Sequence, residues 1–140
     1  MDGLSDADVA GVLRAVKVIA LVGWSPKPDR PSHRVAAFLK DAGYRVIPVN
    51  PGQAGVEVLG EVVRASLSDI AEPVDMVDIF RRSEEVGPVV AEALAALPGL
   101  RVIWMQLGVI HEPAAEAART AGLTVVVNRC PAIEIARLGL

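Results

Sequence analysis

Apolar positions in this chain fall into two alternating patterns. Val18-Ile-Ala-Leu-Val22, Arg45-Val-Ile-Pro-Val-Asn50, Val74-Asp-Met-Val-Asp-Ile-Phe80, Leu100-Arg-Val-Ile-Trp-Met-Gln106 and Thr124-Val-Val-Val-Asn128 are short, nearly unbroken and rich in valine and isoleucine. Such runs predict strands buried on both faces. Between them the spacing changes to that of helices. Val35, Phe38, Leu39 and Ala42 recur at i, i+3, i+4 and i+7 and share one inward face, and Gly43 closes that helix. Ser5 to Val16 predicts an opening helix with Val9, Val12 and Val16 inward, Ser5 as cap and Asp8 as the acid of a short capping box. Further helices are predicted from Ser83 or Gly87-Pro88 through an alanine-rich stretch to Leu97, from Pro113 to Ala121, and from Pro131 to Leu138. Glu61-Val-Val63 reads as a short edge strand, Ser66 to Ile70 as a helical turn, and Pro48 predicts a bulge or an irregular place in its ladder.

Strands joined through helices of this length imply right-handed crossovers and a parallel sheet covered on both faces. The expected fold is therefore α/β: a doubly wound, mainly parallel, Rossmann-like sheet forming one domain over residues 1–140. In such sheets a ligand lies beyond the carboxyl ends of the strands, where strand order reverses. That rule selects Gly23 to Arg34, Asn50-Pro51, Phe80-Arg81-Arg82 and Gln106-Leu107-Gly108.

The first of these groups carries the clearest chemistry. The strand ending at Val22 breaks at Gly23 into a loop with Pro26, Pro28 and Pro31, and then enters a helix for which Ser32 is the natural cap. Unpaired first-turn amides and the aligned peptide dipoles make such a helix start an anion site. Lys27, Arg30 and Arg34 add full positive charges. The chain as a whole carries a formal net charge of −3, yet Trp24 to Asn50 holds five basic residues against two acids. This local excess suits a small anion rather than nucleic acid or a membrane surface. Lys40 and Arg45, further along, read as solvated surface.

Hydrophobic residues make up 52% of the chain and aromatics only 4%, so the core must be largely aliphatic. No apolar run approaches the roughly 20 residues that span a bilayer, and the acidic opening Met-Asp-Gly-Leu-Ser-Asp does not read as a secretory signal. The single Cys130 excludes an internal disulfide, in keeping with a reducing compartment. A cytoplasmic protein is the expectation.

The loop Gly23-Trp-Ser-Pro-Lys-Pro28 lacks the second and third glycines of a dinucleotide fingerprint, and the second strand ends in Asn50-Pro51 rather than an acid, which disfavours NAD. No G-x-x-x-x-G-K-[ST] motif occurs, which excludes a P-loop. Gly23-x-Ser25-x-Lys27-Pro28 with Arg30-Pro31-Ser32, then Val46-Ile-Pro-Val-Asn-Pro51, Val77-Asp-Ile-Phe-Arg81, Trp104-x-Gln106-x-Gly108 and Asn128-x-Cys130-Pro131 together resemble the small stand-alone CoA-binding protein family. That family is similar to the N-terminal CoA-binding domain of the succinyl-CoA synthetase alpha subunit. The resemblance runs along about the whole chain. It departs at Asn128, where many relatives carry an acid.

The resemblance implies a Rossmann-like domain that binds coenzyme A or an acyl-CoA, with no reaction of its own. Gly23, Trp24 and Ser25, with Lys27 and the helix start near Ser32, would hold the diphosphate. Arg30 or Arg34 would reach the 3′-phosphate, Asn50 and Pro51 would flank the ribose or adenine, and Phe80 and Arg81 would offer a flat surface to the base. Gln106 and Gly108 would lie along the pantetheine arm. The synthetase's ligase chemistry requires a second domain and a partner subunit that this chain does not contain, so it is not carried over.

Catalytic groupings are weak. His33 and His111 read as surface or capping residues, Asp75 and Asp78 lie three apart on a strand and face opposite ways, and no spacing suggests a metal. Cys130, after the last strand on the ligand edge, can form a mixed disulfide with the CoA thiol under oxidising conditions. Two other readings remain: an NADP-dependent oxidoreductase with Lys27 and Arg30 on the 2′-phosphate, and a subunit that contacts a protein partner and keeps a vestigial nucleotide site.

Overall fold

A computed structural model describes residues 1–140. Five strands, β1 (Val18–Val22), β2 (Arg45–Val49), β5 (Met76–Ile79), β6 (Val102–Met105) and β7 (Thr124–Val126), form one sheet in the order β2-β1-β5-β6-β7. Every pairing is parallel. A separate antiparallel hairpin joins β3 (Glu57–Val58) to β4 (Glu61–Val62). The helices are α1 (Asp6–Ala15), α2 (Pro31–Asp41), α3 (Val86–Ala96), α4 (Glu112–Thr120) and α5 (Pro131–Leu138). The fold is the doubly wound, Rossmann-like single-domain architecture that the strand and helix pattern predicts.

Strand residues alternate between two apolar layers. Ala20, Ile47, Val77, Ile79 and Ile103 face α3 and α4, where Val86, Val90, Ala93, Ala115 and Ala118 cover them. Ile19, Leu21, Val46, Met76 and Trp104 face α1, α2 and α5, against Val9, Leu13, Val35, Leu39 and Ile135. Small alanines on α3 and α4 let those helices sit close to the sheet, which is how a core with so few aromatics fills its volume.

Four local expectations change. The ladder through Pro48 is unbroken, with Pro48 opposite Leu21 and no bulge. Arg45 donates inward to Lys17, so by alternation Pro48 turns its imide nitrogen outward on an edge strand, where no ladder donor is needed. The strand expected at Glu61 is half of a hairpin. Its turn, Leu59-Gly60, has φ of 56° and 74°, and its first strand is too short to show a period in sequence. Ser83 to Glu85 form a 3₁₀ turn that runs directly into α3, so Pro88 lies in the first turn rather than restarting the helix. Ser32 is not the cap of α2. Arg30 holds the cap position, and Pro31, with its φ already helical, opens the helix.

At two other helix starts, those of α1 and α4, a side-chain cap is present. Ser5 and Asp8 form a reciprocal capping box on α1, and His111 caps α4 by accepting from Ala114 N at 3.1 Å.

Candidate functional site: a basic and apolar cleft at the strand ends

The chain crosses to α2 on one face after β1 and to α3 on the other after β5, so strand order reverses between these neighbours. Gly23 stands at this point with φ 90°. A Cβ there would lie 2.1 Å from the Phe80 carbonyl oxygen, so only glycine lets the two strand ends approach.

Beyond them opens a cleft of about 700 Å³. Gly23, Ser25, Lys27, Arg30, Ser32, Arg34, Phe80 and Gln106, all singled out from the sequence, line it. Arg81 and Gly108 line a neighbouring hollow that shares Phe80, Leu107 and Val109. Trp24, Asn50 and Pro51 line neither. Trp24 is buried in the core with its ring stacked on His33, centroids 5.8 Å apart. Asn50 bridges the loop instead, donating from Nδ2 to the Trp24 carbonyl and accepting from Gly52 N. Leu107, which the strand-end rule selects, also lines it, while the rest of the apolar wall, Val35, Val109, Ala132 and Ile133, escaped the sequence reading.

The loop's own amides are largely taken. Gly23 N and Trp24 N both donate to Val49 O, Ser25 N donates to Ser32 Oγ at 3.0 Å, and Lys27 N to Ser25 Oγ at 3.2 Å. His33 Nδ1 donates to Ser25 O, and Arg34 donates to the Asp29 carbonyl. These bonds and the three prolines make the loop stiff. They also correct the expected role of the Gly23, Trp24 and Ser25 amides, which have no donor left for an anion. The open donors are first-turn amides at two helix starts: Ser32 on α2, and Ala132 and Ile133 on α5. The second helix start carries a sequence signal like the first, a strand followed by a short loop and Pro131 at the first helical position. It differs in that the one cation beside it, Arg129, is held by Asp2 and Glu134.

Lys27, Arg30 and Arg34 make no ion pair, whereas Arg45, Arg64, Arg81, Arg129 and Arg137 are each held by carboxylates. Gln106 is 6% exposed and its Oε1 has no partner. The loop after it is pinned from two sides. Ser83 Oγ accepts from Ile110 N and donates to Gly108 O, and Asn128 Oδ1 accepts from Gly108 N at 2.7 Å. Asn128 itself has φ 59°, a conformation asparagine tolerates well. Cys130 holds the cap position of α5 on the cleft wall, without a capping hydrogen bond from its side chain, and is 6% exposed.

The fold and site define a Rossmann-like α/β domain whose ligand edge joins a basic loop to an apolar wall. The CoA-binding domain family model matches residues 17–136, and the chain belongs to that family. It is similar to the uncharacterized protein YneT of Bacillus subtilis, with 40% identity over 130 residues and 93% of each chain covered. A hypothetical protein from Pyrococcus horikoshii OT3 superposes with a TM-score of 0.92 at 38% identity, covering 100% of this chain and 96% of that one. A cell-free-produced protein from Thermus thermophilus superposes at 0.90 with 38% identity, covering 96% and 99%.

Proposed function

We propose that the cleft binds coenzyme A or an acyl-CoA and that the chain acts as a binding module without a reaction of its own. The observation that carries this is the polarity of the cleft's β1 side. Lys27, Arg30 and the Ser32 amide are all donors, none engaged with a protein acceptor, so the ligand they fit is a compact, acceptor-rich anion. A diphosphate with a further phosphate answers that description. Further along the wall the polarity inverts: the Gln106 Oε1 acceptor, buried and unpartnered, calls for an N–H. The pantetheine arm of CoA supplies amide N–H groups. The wall holds no carboxylate and no imidazole that would serve general acid–base chemistry.

Calorimetric titration of ligand-stripped protein with CoA, dephospho-CoA, NAD and NADP tests the reading. CoA should bind tightest, with a loss on removal of the 3′-phosphate. Preference for NADP would move the site to an oxidoreductase. Hydrogen bonds to charged groups contribute about 1.5–3 kcal/mol each, so replacing Lys27 and Arg30 together by alanine should weaken CoA binding by more than about tenfold. Unchanged affinity in the double variant removes the assignment of these two residues.

A further inference from the structure

The cleft is asymmetric in a way that free CoA does not use. Its cations all come from the β1–α2 segment. The ends of β6 and β7, two and three strand spacings from β1 or roughly 10–14 Å at about 4.8 Å each, bring Leu107, Val109, Cys130, Ala132 and Ile133 to the other side. Leu107 and Ile133 are 53% and 54% exposed, among the most exposed large apolar side chains of the fold. Exposure of this kind at a cleft mouth marks a surface that an apolar group covers. Leu107 stands on the loop that Ser83 and Asn128 pin, and Ile133 stands in the first turn of α5, so both are held in place at the mouth.

The same first turn presents the amides of Ala132 and Ile133 with no protein acceptor. Gln106, buried and unpartnered on the same wall, independently marks this side as ligand-facing. A free thiol gives those two amides little to bind, whereas a thioester carbonyl oxygen is an acceptor. The β6 and β7 side brings no unpaired cation of its own for a negatively charged acyl group. Arg129, the nearest in sequence, is held by Asp2 at 2.9 Å and by Glu134 at 3.0 Å. Cys130 is covered and serves as a small apolar part of the wall.

We infer that the preferred ligand is an acyl-CoA with a short, uncharged aliphatic acyl group, its thioester carbonyl on the α5 amides and its chain against Leu107 and Ile133. This rests on the CoA reading above and narrows it.

The test is calorimetric titration with CoA, acetyl-CoA, butyryl-CoA and succinyl-CoA, on the unaltered protein and on Ile133→Ser, whose exposed side chain can change without opening the core. Affinity should rise from CoA to acetyl-CoA to butyryl-CoA, by up to ~fourfold for each methylene removed from water, with succinyl-CoA below butyryl-CoA. Ile133→Ser should reduce the ratio of butyryl-CoA to CoA affinity. Equal affinity for all four, tighter binding of succinyl-CoA, or an unchanged ratio in Ile133→Ser overturns the acyl assignment while CoA binding stands. Absence of binding by every member overturns the CoA reading itself.

Discussion

At the scale of single residues, two positions carry more of the structure than their size suggests. Gly23 is one. With φ 90° and the Phe80 oxygen 2.1 Å from any Cβ, Gly23→Ala forces β1 and β5 apart at their ligand ends. The expected loss is at least about 2 kcal/mol in urea unfolding, together with weakened CoA binding. Asp78 is the other. It lies in mid-sheet between Leu21 and Trp104, fully buried, with neither carboxyl oxygen bonded. Burial pushes its carboxyl well above the usual carboxylate range, so the folded protein holds it neutral. The unfolded chain releases that proton above its ordinary value of 3.8, so stability falls as pH rises from there towards the folded value. Asp78→Asn should therefore be more stable than the parent at pH 7, by about 1–3 kcal/mol, and should lose that advantage at pH 3.5. Equal unfolding midpoints at pH 7 would show that Asp78 has a partner. Gly23 was legible in sequence as a turn and phosphate-loop glycine. Its contact with Phe80 was not, because that contact joins residues far apart in the chain.

At the scale of elements, α5 is held by charge as well as by packing. Asp2 accepts from Val127 N and from Arg129, Arg129 also pairs with Glu134, and Arg137 joins Glu134 to Asp6. Burial alone would raise the Asp2 pKa, but the Arg129 hydrogen bond and the Val127 and Leu4 amides outweigh it and hold it at about 2. A depressed carboxylate stabilises the fold above its unfolded value of 3.8, and that contribution is lost as pH falls towards 2. Asp2→Asn should lower the melting temperature at pH 7 and flatten its acid limb between these two values. An acid limb identical to the parent's would place the loss elsewhere. This cluster could not be read from sequence, since a pair such as Asp2 and Arg129 has no periodicity. The helix starts were legible in part: the Ser5–Asp8 capping box of α1 stands as read, and the cap of α2 does not. Ser32 was recognised as an acceptor for a backbone amide but assigned to its own helix, whereas it accepts from Ser25 N and fixes the loop.

At the scale of the whole molecule, the two carboxyl groups act in opposite directions. Asp2 withdraws stability below 3.8 and Asp78 withdraws it above, so thermal stability should peak in mildly acidic solution, about pH 4–5. A melting-temperature profile from pH 3 to pH 8 checks this, and a maximum at neutral pH would contradict the neutral, unpartnered state of Asp78. The parallel sheet was legible because its strands are buried on both faces and so read as unbroken apolar runs. The β3–β4 hairpin was not, because two-residue strands carry no pattern. The basic side of the cleft was legible through its charge. Its apolar side was legible only at Leu107, through the strand-end rule, because Ile133 resembles an ordinary core residue of a helix until the fold exposes it.

The rim of the sheet has a consequence for life in a crowded solution. Beyond β2, Arg64 donates to the Pro48 carbonyl and accepts from Asn50 N, while Pro48 has no N–H to offer. Arg45, Glu61, Arg64 and Glu72 lay a lattice of charge across the same border. A second molecule approaching this border finds few backbone groups to pair with and charges it would have to strip of water, so growth of the sheet from copy to copy is blocked where an open parallel sheet is most exposed to it.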